Sequence, residues 1–340
     1  MVCTTHTHTG PALQREKEYV ERLLACIVDS VEQAVANLRP CELRLGRDKA
    51  EGVSFIRRYR MKDGSVVTNP GLLNPDVDHP IGEVDPEVIV LRAVAGGETL
   101  VALANFALHA DTVGGKLISA GWPHYMAKTL RAEAGAKAEV LFLQGCCGDI
   151  NHWNVLKGGH YKGFEEAERI GKIVGEAACR AVASDAPLAP GPVRFASTVV
   201  ELPMPKVSKE DYEAAKAEMA KPYESTADFT MERVLARKLM SVYEHETGRL
   251  PAEVQVLRFG DGAFVGMPCE YFNALGRQIK QGSPLPNTVV VELANGSCGY
   301  IAEKHNYEEG GYEVTSSRVA PGSGEQLRDT ALQLLADLAG

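Results

Sequence analysis

What most constrains this chain is how its apolar residues change period along the sequence. Runs that suit buried strands alternate with stripes recurring every three to four residues, and no segment repeats. Residues 87–94 and 99–108 read as strands joined by the turn Ala95-Gly96-Gly97-Glu98. Further strands are expected at 139–143, 193–202 and 288–293, with a hairpin of 254–259 and 263–267 around Gly260-Asp261-Gly262. Between them, helices are expected at 16–38 (apolar at Val20, Leu23, Leu24, Ile27, Val31 and Val35), 122–134, 164–183, 271–280 and at the C-terminus. A polar helical region spans 208–246 with a break at Pro222, and 294–324 reads as a loop. This alternation specifies an α/β fold, a mixed β-sheet flanked by helices with some antiparallel pairs. No linker interrupts it, so 1–340 reads as one domain. Residues 51–86 lack periodicity and hold seven glycines or prolines within 64–86, an irregular excursion of a length that usually carries function.

Composition excludes several partners. The net charge of −9 argues against nucleic acid and anionic membranes. No apolar run approaches the roughly 18 residues of a spanning helix, so no integral membrane segment is expected. The start, Met-Val-Cys-Thr-Thr-His, lacks a basic region and an apolar core, which places the chain as written in the cytoplasm. Eight cysteines without a C-x-x-C pair read as free thiols in a reducing compartment.

Candidate chemistry collects at strand ends. His6 and His8 follow a β-like run over residues 2–5, and in extended chain residues i and i+2 face the same side. Two such imidazoles suit zinc, or are simply solvated. His109 follows a strand directly, where open α/β sheets gather their sites. Asp111 would orient an imidazole or turn the chain. Glu270 stands where a helix should begin, a position that also favours an acid with no other role. Tyr300 follows the turn Asn295-Gly296-Ser297-Cys298-Gly299. Asp149, Asn151 and His152 follow another strand, and would line the site or cap a turn. H-E-x-x-H, G-x-S-x-G, Walker A and G-x-G-x-x-G motifs are absent from the sequence.

Taken in order, His6-Thr7-His8-Thr9-Gly10-Pro11, Asn105-Phe106-Ala107-Leu108-His109, Gly148-Asp149-Ile150-Asn151, Met267-Pro268-Cys269-Glu270-Tyr271-Phe272, and Gly299-Tyr300 with Tyr307 and Tyr312-Glu313 resemble the neutral/alkaline non-lysosomal ceramidase family. The loop over 55–86 resembles that of its small bacterial members. The resemblance implies a catalytic zinc ion (Zn2+) held by His6, His109, Glu270 and Tyr300. It implies that His8 contacts the substrate carbonyl, that Tyr312 stabilises the oxyanion, and that Arg57, with Arg58 as its competitor, is an active-site arginine. The activity implied is hydrolysis of an N-acyl amide, ceramide or a related lipid or small molecule, by zinc-activated water. A de-N-acylase or esterase acting on a small polar substrate such as an acylated sugar, and a catalytically silent binding protein, are the alternatives. Family members carry strands and a helix before the H-T-H motif and an immunoglobulin-like domain after the catalytic one. The motif here begins at residue 6, which leads us to expect a start further upstream, and with it export.

Overall fold

The computed structural model describes residues 1–11, 13, 16–222 and 230–340. The α/β architecture of mixed sheets flanked by helices is present, with most of the β-structure divided between two stacked sheets. One sheet has the order Ala186–Pro187, Glu42–Lys49, Glu87–Ala95, Glu98–Phe106, Glu139–Gln144, and only its last pair is parallel. The other has the order Val193–Pro203, Arg249–Phe259, Gly262–Met267, Asn287–Glu292, again parallel only in its last pair.

Strand parity builds the layers. Val88 and Val90 point to the helices Trp122–Ala134 and Phe164–Ala183, burying themselves with Trp122, Met126, Ile170 and Val174. Their neighbours Ile89 and Leu91 point the other way and meet Phe259, Val289 and Val291 of the second sheet. Val254, Val256 and Val265 then face the C-terminal helix Ser323–Ala339 through Leu327, Ala331 and Leu335. The result is helix, sheet, sheet, helix, each apolar face buried once. The two helices over the first sheet approach closely because Gly171 and Gly175 lack side chains. A Cβ on Gly171 would lie 2.5 Å from the Trp122 carbonyl oxygen, and one on Gly175 would lie 2.6 Å from Thr129 Cβ.

Several sequence expectations change. The 51–86 excursion is not structureless: Arg58–Met61 pairs with both Val66–Thr68 and Val77–Pro80, and Phe55–Ile56 pairs with Ile150–Asn151. The 294–324 loop contains the strand Tyr300–Ile301 and the short helices Asn306–Glu309 and Tyr312–Ser316. The polar helical region becomes Lys209–Met219 and Met231–Tyr243, and its residues 223–229 lie outside the described residues. The first helix, Lys17–Ala36, forms as its stripe dictates but buries no residue, leaving Leu24, Val28, Val31 and Val35 each more than half exposed. None of the helices described is long and apolar enough to cross a membrane.

Candidate metal centre

Four strands, two from each sheet, end at one place. Past Phe106 the chain reaches His109, past Gln144 it reaches Cys147 and Gly148, past Met267 it reaches Glu270, and Asn287–Glu292 ends on Glu292 itself. The carboxyl ends of parallel strands thus converge on one crevice, the usual place for chemistry in sheets of this kind.

The N-terminal segment is strapped across those ends. Asn295 donates its N–H to the Val2 carbonyl (2.8 Å), Thr4 to that of Leu293 (3.3 Å), and His8 to that of Ala110 (3.3 Å). Bridges at Cys3–Ala294 and Thr7–Ala110 fasten the strap to one sheet on each side of His6. The expected β-like run is thus reduced to a single bridge. His6 itself is not extended: its φ is 59°, the left-handed region that non-glycine residues seldom occupy. The two imidazoles still meet, because the chain turns at His6 and not because it is straight. The His6 and His8 rings stack with centroids 5.1 Å apart, and His109 stands edge-on to His6 at 4.4 Å.

Glu270 completes the group. Its Oε2 lies 3.5 Å from Nε2 of both His6 and His109. Glu270 does not open a helix as expected. It pairs in parallel with Tyr300 in a two-residue ladder, Glu270–Tyr271 against Tyr300–Ile301, which brings that tyrosine to the cluster. The helix starts later, at Asn273. Arg57 lies between two short strands. Its Nε donates to Glu313 (2.6 Å) and one Nη to the Gly148 carbonyl (2.8 Å), while the other Nη is 3.4 Å from His109 Nε2. The guanidinium also covers the Tyr300 ring at 5.2 Å and the Tyr312 ring at 5.9 Å. Arg58, the competitor, points elsewhere, bonding the Gly310 carbonyl and Glu309 beside the Phe272 ring. His6, His8, His109, Glu270, Tyr300, Arg57 and Tyr312 are therefore gathered in one cluster.

Electrostatics prepares these groups to bind a cation. Burial, then the neighbouring His109, pushes His6 down to about 3, so its imidazole is neutral at pH 7. His8 is lowered for the same two reasons. Burial alone would raise the Glu270 carboxyl, but the adjacent His109 and His6 rings outweigh it and hold it at about 2. Burial keeps Tyr300 and Tyr312 protonated, with Arg57 opposing it. The ligand atoms of His6, His8 and His109 lie within 4.8 Å of one another, as do those of His6, Cys147 and Glu292, and either set could hold a metal ion. Nδ1 of His6 and His109 and Oε2 of Glu270 are buried without a hydrogen-bond partner. Neutral imidazoles beside an ionised carboxylate whose Oε2 has no hydrogen-bond partner fit zinc.

The remaining candidates are bonded to partners outside the cluster. Asp111 pairs with His152 (2.9 Å) and not with a cluster imidazole. Asp149 accepts the Asn273 N–H (2.8 Å), and Asn151 bonds Asn69 and the Trp153 N–H. Sequence reasoning gave no role to Glu313 behind Arg57 or to Glu292, which accepts the Cys147 thiol (3.1 Å). A carboxylate closing the otherwise apolar run Thr288-Val289-Val290-Val291 was the available signal for Glu292. Burial, reinforced by Glu292, drives the Cys147 pKa up, which leaves no thiolate for nucleophilic catalysis.

No family model matches this chain, and no curated protein matches it. Its fold is similar to that in the crystal structure of neutral ceramidase from Pseudomonas aeruginosa, with a TM-score of 0.73 and 19% identity, covering 99% of this chain and 60% of that one. A structure of a ceramidase complexed with C2 matches with a TM-score of 0.73 and 18% identity, covering 99% and 61%. The chain thus spans about 60% of the length of the solved structures it matches, and at this identity the likeness is one of fold.

Proposed function

We propose that this chain is a zinc-dependent hydrolase of N-acyl amides, ceramidase-like in mechanism. The observation that carries the reading is the convergence of His6, His109 and Glu270 beside a buried Arg57, at the strand ends of a fold shared with neutral ceramidases. His6, His109, Glu270 and Tyr300 would hold the metal. When bound, zinc supplies Lewis acidity and hydroxide at neutral pH.

The chain's own residues do the rest. Arg57, fixed from behind by Glu313, presents a permanent positive charge to the side of the cluster where an amide carbonyl would gain negative charge. Tyr312 keeps its proton and so remains a hydrogen-bond donor to the same oxygen, worth on the order of 3 kcal/mol in a dry site. His8, the most exposed of the three imidazoles, meets the substrate first. An apolar acyl group would be favoured by Leu117 and Ile118, both exposed on the loop that ends at Ser119. The Ser119 carbonyl accepts from Thr7, next to His8.

The test combines elemental analysis with hydrolysis of N-acyl sphingosines and of acylated sugars. We expect about one zinc per chain, hydrolysis of the long-chain amide, and loss of both metal and activity in Glu270→Ala and His109→Ala. Hydrolysis that survives both substitutions, or a zinc-loaded chain inert toward N-acyl amides, overturns the reading.

A further inference from the structure

Glu292 is fully buried, and its two oxygens do different work. Oε2 accepts two backbone N–H groups, from Cys147 (3.0 Å) and Tyr271 (3.0 Å). These bonds tie the end of its own strand to the segments that carry Gly148 and Glu270. Oε1 accepts the Cys147 thiol and lies 3.9 Å from His6 Nδ1, an atom buried without any hydrogen-bond partner. The opposite ring nitrogen, Nε2, faces Glu270. The backbone on both sides of this contact is unusual. His6 (φ 59°) and Leu293 (φ 51°), the residue after Glu292, both adopt the left-handed conformation, and Thr4 bonds the Leu293 carbonyl. Such conformations persist only where the surroundings enforce them, and they concentrate where a side chain must be aimed.

We propose that Glu292 is a positioning residue: its Oε1 takes the Nδ1–H of His6, which fixes the imidazole tautomer and turns the Nε2 lone pair toward Glu270 and His109. A short rotation of the ring closes 3.9 Å to hydrogen-bond length. The inference deepens the proposed function, since it rests on His6 being a ligand through Nε2. Partners of this kind typically change metal affinity 10- to 100-fold.

Because the two oxygens are divided in this way, Glu292→Gln is a selective probe. Its amide oxygen can stay with the two backbone donors and keep the segments joined. Its NH2 then stands where Oε1 was and offers a donor to Nδ1, which demands the opposite tautomer with hydrogen on Nε2.

The readout is the tautomer of the His6 ring in the metal-free protein, by long-range 1H–15N correlation, with the signal identified by its loss in His6→Gln. Wild type is expected to carry hydrogen on Nδ1 and Glu292→Gln on Nε2, with zinc affinity in a chelator competition lower by about 10- to 100-fold. Hydrogen on Nε2 in wild type overturns the proposal, whether or not the variant folds. An unchanged tautomer in a folded variant overturns it as well. A switched tautomer in a protein that never binds zinc keeps the positioning contact and removes the metal reading, so the two failures are distinguishable.

Discussion

Gly148 offers the sharpest mechanical test of how Glu270 is held. Modest steric pressure there acts on one candidate ligand through its backbone alone. A Cβ at position 148 would lie 2.6 Å from the Glu270 carbonyl oxygen and 3.0 Å from the carbonyl carbons of Glu270 and Tyr271, where ordinary contact begins at 3.4 Å. The two segments must therefore separate by about 0.8 Å, and neither is free to do so. The Gly148 N–H donates to the Tyr271 carbonyl (2.9 Å), its own carbonyl holds Arg57 (2.8 Å), and the Glu270 N–H is tied to Gly299 (3.0 Å). Overpacking against rigid backbone costs about 1–3 kcal/mol. Misplacing a reacting group by close to 1 Å costs on the order of 100-fold in rate. Gly148→Ala is thus expected to lower the urea-unfolding free energy of the metal-free protein by about 1–3 kcal/mol. It should weaken zinc in a chelator competition and slow hydrolysis by on the order of 100-fold. Gly114→Ala, where nothing lies within 4 Å of the new methyl, is the control and should match wild type. A Gly148→Ala protein with wild-type stability and zinc affinity would refute the claim that this contact fixes Glu270.

Two further outcomes are expected. Glu313→Ala removes the partner of Arg57 Nε (2.6 Å) and the acceptor of Thr68 Oγ1 (2.8 Å), leaving a buried guanidinium uncompensated. Urea unfolding should register a loss of about 3–5 kcal/mol, and a loss under 1 kcal/mol would mean that Arg57 is held by something else. Asp149 gives a pH dependence: burial raises its carboxyl from 3.8 to about 6 against the Asn273 hydrogen bond. The folded state therefore holds a proton that the unfolded state has lost, and wild type loses stability as pH rises from about 4 through 6. Asp149→Asn keeps the acceptor without the titration, so the stability difference between the two should shift by about 3 kcal/mol across that window, in the variant's favour at high pH. A pH-independent difference would place Asp149 in a wetter setting.

The ordering of strands and helices was readable because apolar period survives in single segments: 87–94, 122–134 and 164–183 all stand within a residue of their expected bounds. What period cannot report is the partner. The stripe on Lys17–Ala36 announced a helix, and nothing in it said that no residue would be buried. Glu270 looked like a helix-start acid because local sequence favours that position. Only its pairing with a strand 30 residues later makes it a neighbour of Tyr300. The two histidines were gathered by a left-handed backbone at His6, which no residue preference signals. Arg57 was found by resemblance, since the short strands around it are stabilised by pairings with distant segments such as Ile150–Asn151.

The strap that carries His6 has a consequence for when this protein can act at all. The Val2–Asn295 hydrogen bond joins residues 293 apart in sequence, and closing so long a loop costs roughly 5 kcal/mol of chain entropy. Tyr300 leaves the ribosome 294 residues after His6, an interval of about 15–60 s at typical elongation rates. Until Glu270 and then Tyr300 are made the first imidazole lacks these partners, so the nascent chain carries no assembled centre. The site comes into being only once Tyr300 has been made and the segment around it has met the strap that carries His6.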